Sequence, residues 1–173
     1  QLGDGQTMAN KLGIPVVYDF RTKDIAEGGQ GAPLCPIYHV ALLKKIGATS
    51  TTAILNLGGL GNLSCYSKNY GLIAFDTGPA NAPINDWIKS FNIGQMDIGG
   101  EIAARGKVDE SKLIEILKDP YFEVSFPKSL DRFDFSYKIA EGMSLEDGAA
   151  TLTALVGASV GKGLDLLPIR PTQ

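Results

Sequence analysis

The chain has 173 residues, of which 44% are hydrophobic and 20% charged, and its formal net charge is -3. That length suits one domain or two small ones, and the composition is that of a chain with a core, not of a disordered one. The acidic balance argues against a nucleic-acid or anionic-membrane partner, and no apolar run approaches the length of a membrane span.

Asp4 to Leu12 has helical spacing, with Met8 and Leu12 on one face and a stop at Gly13. Ile14-Pro15-Val16-Val17-Tyr18 reads as a strand, with Pro15 near its start, where proline is tolerated. Asp19-Phe20-Arg21 follows at its carboxyl end, where parallel α/β sheets bind ligands. Asp19 and Arg21 are therefore placed for chemistry, or equally for a helix cap and a surface charge. Gly28-Gly29-Gln30-Gly31-Ala32-Pro33 reads as a glycine loop feeding a helix through Leu34, Ile37, Tyr38, Leu42 and Leu43 that ends at Gly47. His39, the only histidine, reads as a packed residue, because no second His or Cys stands at triad or metal spacing.

The central stretch runs from Ile54 to Trp87. Two apolar runs, Ile54–Leu57 and Leu72–Phe75, read as buried strands within Thr51–Asn62 and Gly71–Asp76. Each is followed by a turn signal, Gly58-Gly59 and Asp76-Thr77-Gly78-Pro79. Glycines there let a backbone approach a ligand and expose N–H groups to phosphate. Two hairpin turns in a sheet would give the same residues.

Pro83 to Phe91 suits a helix with Ile84, Trp87, Ile88 and Phe91 as its apolar stripe. Asp97 to Arg105 reads as a glycine loop before a short helix. Asp109 to Leu117 is an amphipathic helix with acidic residues in its first turn, closed by Pro120. The loop Pro127–Arg132 carries three charges that could grip a phosphate or be solvated, and the solvated reading is the default. Ser144-Leu145-Glu146-Asp147 opens a helix that is apolar all round from Ala149 to Val160, with Gly161 and Gly163 ending it. Cys35 and Cys65 have no metal or redox spacing and read as buried small hydrophobes. A reducing, cytoplasmic compartment is the simplest reading of them. Both ends of the chain, Gln1-Leu2-Gly3 and Pro171-Thr172-Gln173, look like positions inside a domain, so an interior piece of a longer protein is expected.

Eight motifs, in order, resemble one family, the anhydro-N-acetylmuramic acid kinases of the actin-like, Hsp70-like and sugar-kinase ATPase superfamily. They are Gln1–Gly5, Val16–Arg21, Gly28–Pro33, Leu55–Asn62, Phe75–Asn81, Asp119–Phe122, Pro127–Ser129, and Glu146-Asp147 before Ala150–Thr153. The resemblance implies an α/β chain, part of a two-lobed actin-like/ribonuclease H-like ATPase fold with mixed sheets flanked by helices. Residues 1–50 would end the first lobe and 51–173 would form the main part of the second, with a phosphate loop and an interdomain helix.

The implied reaction uses ATP and water to open 1,6-anhydro-N-acetylmuramic acid and phosphorylate O6, giving N-acetylmuramic acid 6-phosphate in cell-wall recycling. The resemblance makes Asp19 the general base. It gives Arg21, Gly29, Gln30, Gly31, Asp76 and Asn81 to the sugar, and Asn56, Gly58, Gly59 and Asn62 to the nucleotide phosphates. ATP and Mg2+ would be the cofactors, with no protein metal ligand assigned, and a homodimer is compatible. The alternative is a non-catalytic, Hsp70-like ATP- or sugar-binding module of the same fold.

Two departures stand out: Ala80 replaces a usual glycine, and Ser129-Leu130-Asp131-Arg132-Phe133 replaces the usual sugar-side loop. The first phosphate motif and the adenosine motif of the family do not occur in these residues, so no kinase activity is expected from this piece alone.

Overall fold

The structure is a computed structural model and describes residues 3–29, 31–32, 34–49, 51–67 and 69–172, with the Ser67 side chain left out of the description. Two compact units divide at Leu34/Cys35.

The first unit holds two short helices. Helix α1 (Gly5–Leu12) begins at Asp4, whose carboxylate accepts from the N–H groups of Gln6 and Thr7. It ends at Gly13, whose φ of 67° is the left-handed turn that glycine makes without cost. Helix α2 (Phe20–Ala26) follows. The expected strand at 14–18 does not form. The segment is exposed, Val17 at 78%. A strand needs a partner to complete its hydrogen bonds, and the described neighbours in this unit are helices that bond internally. The ring of Tyr18 instead lies against Gly5, where a Cβ would fall 2.1 Å from it.

The second unit is built on an antiparallel sheet in the order β1-β2-β3. Its strands are β1 (Ala53–Leu57), β2 (Leu60–Ser67) and β3 (Gly71–Pro79). The described sheet is α/β in context but contains no parallel pair, in contrast to the mixed pairing expected. Strand β2 was not anticipated. Gly58-Gly59 is the two-residue turn of a β1–β2 hairpin, and the Asp76–Pro79 segment is not a turn but the end of β3. The ladder runs on through Gly61↔Gly78 and Leu60↔Pro79, past a bulge at Gly61/Asn62 that leaves Thr77 as the extra residue.

Helix α3 (Pro36–Lys45) packs against β2 and β3. His39 is buried there, its Nδ1 2.8 Å from the Ser64 hydroxyl. Cys65 is buried, and burial pushes its thiol pKa up. Cys35, expected to be buried, is exposed because it sits at the N-terminus of α3, outside the helix's packed face. The other sheet face carries Leu63, Cys65, Ile73 and Phe75, which form a core with Leu167.

Helix α6 (Leu145–Asp165) lies against β3. It does not stop at Gly161 or Gly163. Gly163 is demanded by packing, since a Cβ there would lie 2.7 Å from the Thr77 methyl group. Gly78 answers it from the strand, where a Cβ would come within 2.6 Å of the Ser159 Cβ. A second core forms where α6 meets α4 (Asn81–Ser90), around Trp87, Ile88, Ala140, Ala149 and Leu152. The indole N–H of Trp87 donates to the Leu145 carbonyl at 2.9 Å. Helix α5 (Glu110–Ile116) forms as expected, capped by Asp109, whose side chain accepts from Lys112 N–H. Residues 97–105 hold two single-turn 3-10 segments.

Candidate functional site

Asp19 stands at the N-terminus of α2 with φ 62° and ψ 39°. Left-handed backbone on a residue other than glycine is uncommon and costs on the order of 1 kcal/mol. Its carboxylate does not cap α2. It is exposed and accepts from the Thr22 hydroxyl at 2.5 Å. Arg21, two residues on, donates to the Gly31 carbonyl.

The Gly28–Gly31 loop folds back over α2. Gly29 N–H donates to the Asp24 backbone carbonyl at 2.8 Å, and Gly31 N–H donates to the Asp24 carboxylate at 2.7 Å. Gly31 has φ 69°, and a Cβ on Gly29 would strike the Asp24 carboxylate at 2.2 Å. The local fold thus accounts for both glycines. Gln30 lies outside the described residues, as do Gln1, Leu2 and Pro33 of the quoted motifs.

In the second unit the remaining predicted residues gather at one end of the sheet. Asn56, Asn62 and Asp76 form a row across the three strands, through the pairs Asn56↔Asn62 and Asn62↔Asp76. Beside them the hairpin turn sits on the start of α4. The Gly59 carbonyl accepts from the N–H groups of Ala80 and Ala82, and the Gly58 carbonyl from that of Asn81. The Asn81 side-chain amide donates to the Leu57 carbonyl at 2.8 Å. Free N–H groups at a helix start need partners, and here the turn supplies them. Gly58 N–H is also spent, on the Leu60 carbonyl at 3.1 Å.

Neither Gly58 nor Gly59 has left-handed φ, and a Cβ at either would meet its nearest atom at 3.5 Å or more. The fold therefore does not require glycine at these two positions, whereas a ligand approaching the turn closely would.

Asp76 is 5% exposed. Its N–H donates to the Lys128 carbonyl, its carbonyl accepts from the Tyr121 hydroxyl, and its carboxylate accepts from Leu130 N–H at 3.0 Å. Burial raises its pKa, partly opposed by the Leu130 bond. Burial also raises the Tyr121 hydroxyl, with the charges of Asp76 and Asp134 adding to it.

Lys128, read from sequence as solvated, is 6% exposed. Its ammonium donates to the Tyr121 carbonyl at 2.8 Å and lies 4.3 Å from the centre of the Tyr121 ring. Burial lowers its pKa, with Glu123 pulling the other way. A long stem that packs along aromatic rings reverses the expectation from charge alone. Arg132, from the same loop, is partly exposed and pairs with Asp86 of α4 at 2.6 Å.

A cleft of about 420 Å³ opens between α4, residues 96–100 and α6. Asn81, Ile84, Asn85, Met96, Asp97, Gly100 and Thr153 line it. Of these only Asn81 was singled out from the sequence. Thr153 closes the quoted Ala150–Thr153 motif but was given no site role, and Asp97 before Gly99-Gly100 carried a loop signal. Among the described residues no helix is long and apolar enough to cross a membrane.

Comparison with known proteins adds the family. The family model described as anhydro-N-acetylmuramic acid kinase matches residues 1–165. A curated relative of that name from Brucella anthropi is 57% identical over 173 residues, covering 100% of this chain and 47% of the relative. Relatives of the same name from Rhizobium rhizogenes and Mesorhizobium japonicum are 55% and 52% identical, each again with all of this chain and 47% of the relative covered. The chain spans about half the length of the curated relatives it matches. By both measures, the chain belongs to the anhydro-N-acetylmuramic acid kinase family.

Proposed function

We propose that this chain is part of an ATP-dependent kinase that opens the anhydro bridge of 1,6-anhydro-N-acetylmuramic acid and phosphorylates the released O6. The full-length similarity of this chain to proteins of that name carries the reading. Residues 1–50 are assigned to the end of the first lobe and 51–173 to the main part of the second, in a two-lobed actin-like ATPase fold with α6 as the helix between lobes.

In this reading Asp19 is the general base. Its carboxylate is exposed, caps no helix N–H, and is held in left-handed backbone. It takes one proton from water as the water oxygen bonds to the anomeric carbon. The bond from that carbon to O6 breaks, and O6 bonds to the γ-phosphorus as the bond to ADP breaks. Sugar phosphate, ADP and one proton result. Arg21, Gly29, Gln30, Gly31, Asp76 and Asn81 remain the proposed sugar-side residues. Asp76 enters this set through its motif, and its buried carboxylate accepts from Leu130 N–H.

Asn56, Gly58, Gly59 and Asn62 are proposed to face the nucleotide phosphates. The support is that glycine at 58 and 59 is required neither by φ nor by room. Among the described residues no three His, Cys, Asp or Glu side chains gather to hold a metal. A magnesium ion bound with ATP would take ligands from phosphate and water, as is usual for nucleotide-bound magnesium.

The test is ADP release by the full-length protein and its Asp19→Asn variant with the anhydro sugar. Asn keeps the shape and removes the base. Turnover is expected to fall at least about 100-fold, the usual contribution of a general base, with sugar and ATP binding retained. Undiminished turnover would remove Asp19 from this role.

A further inference from the structure

Strand β3 is an edge of the described sheet, and at Asp76 its outer side is closed by residues 121–130. The hydrogen bonds there run in a ring through Asp76, Lys128 and Tyr121. Asp76 N–H donates to the Lys128 carbonyl at 3.2 Å, and the Lys128 ammonium donates to the Tyr121 carbonyl at 2.8 Å. The Tyr121 hydroxyl donates back to the Asp76 carbonyl. Each residue gives one bond and accepts one. The same segment also holds the Asp76 carboxylate, through Leu130 N–H at 3.0 Å.

Lys128 is a costly member of this ring. It is buried, and its ammonium lies 4.3 Å from the centre of the Tyr121 ring and 5.8 Å from that of Phe75. Taking an ammonium out of water costs free energy that one carbonyl and two aromatic faces return only in part. Burial accordingly lowers its pKa. Glu123 draws it the other way, but that carboxylate is exposed and paired with Lys162 at 2.5 Å. A methionine would fill the same space between the rings without that cost. The native state thus gives up stability to keep a donor on the Tyr121 carbonyl, and what that donor secures is the place of Asp76.

We infer that Tyr121 and Lys128 are positioning residues for the reaction, fixing Asp76 against the sugar through this ring of hydrogen bonds. Both side chains act through Asp76. Because the ring is closed, opening it at either bond frees the same strand end, so losses at the two residues do not add. The inference rests on the proposed place of Asp76 at the sugar.

The test uses the full-length protein. Calorimetry titrates 1,6-anhydro-N-acetylmuramic acid without ATP, and ATP without the sugar. Tyr121→Phe removes one hydroxyl and keeps the ring on which Lys128 lies. Lys128→Met keeps a packed stem and removes the donor. Each is expected to weaken sugar binding about 5-fold, the worth of one ordinary hydrogen bond, with ATP affinity and kcat at saturating sugar retained. The double variant is expected to lose the same factor of about 5, not the product of about 25. Lys128→Met should also melt no lower than the native protein, since it relieves a buried charge. Unchanged sugar affinity in both single variants would overturn the inference, whatever their melting temperatures, and leave the ring a purely structural role. An equal loss of ATP affinity would overturn Asp76 as the group acted through, and losses that multiply in the double variant would overturn the closed ring. If Asp76→Ala binds the sugar as tightly as the native protein, the sugar-side reading of Asp76 is itself refuted and the inference falls with it. A loss in Asp76→Ala with none in Tyr121→Phe or Lys128→Met refutes the positioning alone.

Discussion

Two glycines of α6 should respond in opposite ways to the same substitution. At Gly148 a Cβ would lie 2.5 Å from Cε2 and Cζ2 of Trp87 and 2.7 Å from its Nε1. The indole cannot yield: it is 5% exposed, packed with Ile88, Ala149 and Leu152, and tied by Nε1 to the Leu145 carbonyl. Forcing a methyl group into a packed core costs about 1–3 kcal/mol. Displacing the indole also loses a hydrogen bond worth about 1 kcal/mol. Alanine regains about 1 kcal/mol of helix propensity over glycine. Gly148→Ala should therefore destabilise by roughly 1–3 kcal/mol. At Gly157 nothing stands within 4 Å of the new Cβ, so Gly157→Ala should stabilise by about 0.5–1 kcal/mol. Trp87 is the only tryptophan of these 173 residues. Urea unfolding followed by its emission reads the unit that contains both glycines. A Gly148→Ala midpoint at or above the native one, or a Gly157→Ala midpoint that falls as far as that of Gly148→Ala, would refute the packing argument.

Asp76 predicts a pH effect of definite sign. Its folded pKa lies above the unfolded value of 3.8, so the native state holds the extra proton between the two. Its favourable contribution is complete below 3.8 and is lost as pH rises through the folded value. Asp76→Asn keeps an oxygen for Leu130 N–H and removes the titration. Thermal melts in a pH series should show the variant gaining on the native protein as pH climbs from 3.8 through the folded value, with a constant gap above it, and parallel curves throughout would refute the assignment. Arg132→Ala breaks the partly exposed pair with Asp86 and should cost only about 0.2–1 kcal/mol. That difference should shrink in high salt, and a loss that is independent of salt would show that packing, not charge, is at work.

Sequence was a good guide wherever one residue decides local geometry. Asp4 and Gly13 frame α1, Gly47 follows α3, Asp109 opens α5 and Ser144 opens α6. It was a poor guide wherever the deciding partner is distant in the chain. Strand β2 was missed because Gly61 and Asn62 leave only Leu63 and Cys65 as its apolar alternation, and β1 and β3 bond it on both sides. Gly163 looked like a helix stop because nothing local reveals that Thr77 occupies the space of its side chain. In the site, motif order singles out Asp19, Asn56, Gly58, Asp76 and Asn81, but not the burial of Lys128 or the Asp76–Leu130 bond. Those contacts depend on how residues 121–130 return to β3.

The close fit of α6 on β3 has a mechanical meaning. Ser159 against Gly78 and Thr77 against Gly163 leave no free volume between helix and strand. The helix can neither roll nor slip along the strand without first lifting off it, and tightly packed interiors resist that. Strand and helix therefore form a single stiff beam. Any rearrangement of this unit is shifted to the beam's ends, and at one of those ends Gly78 and Pro79 lead directly into Ala80 and Asn81.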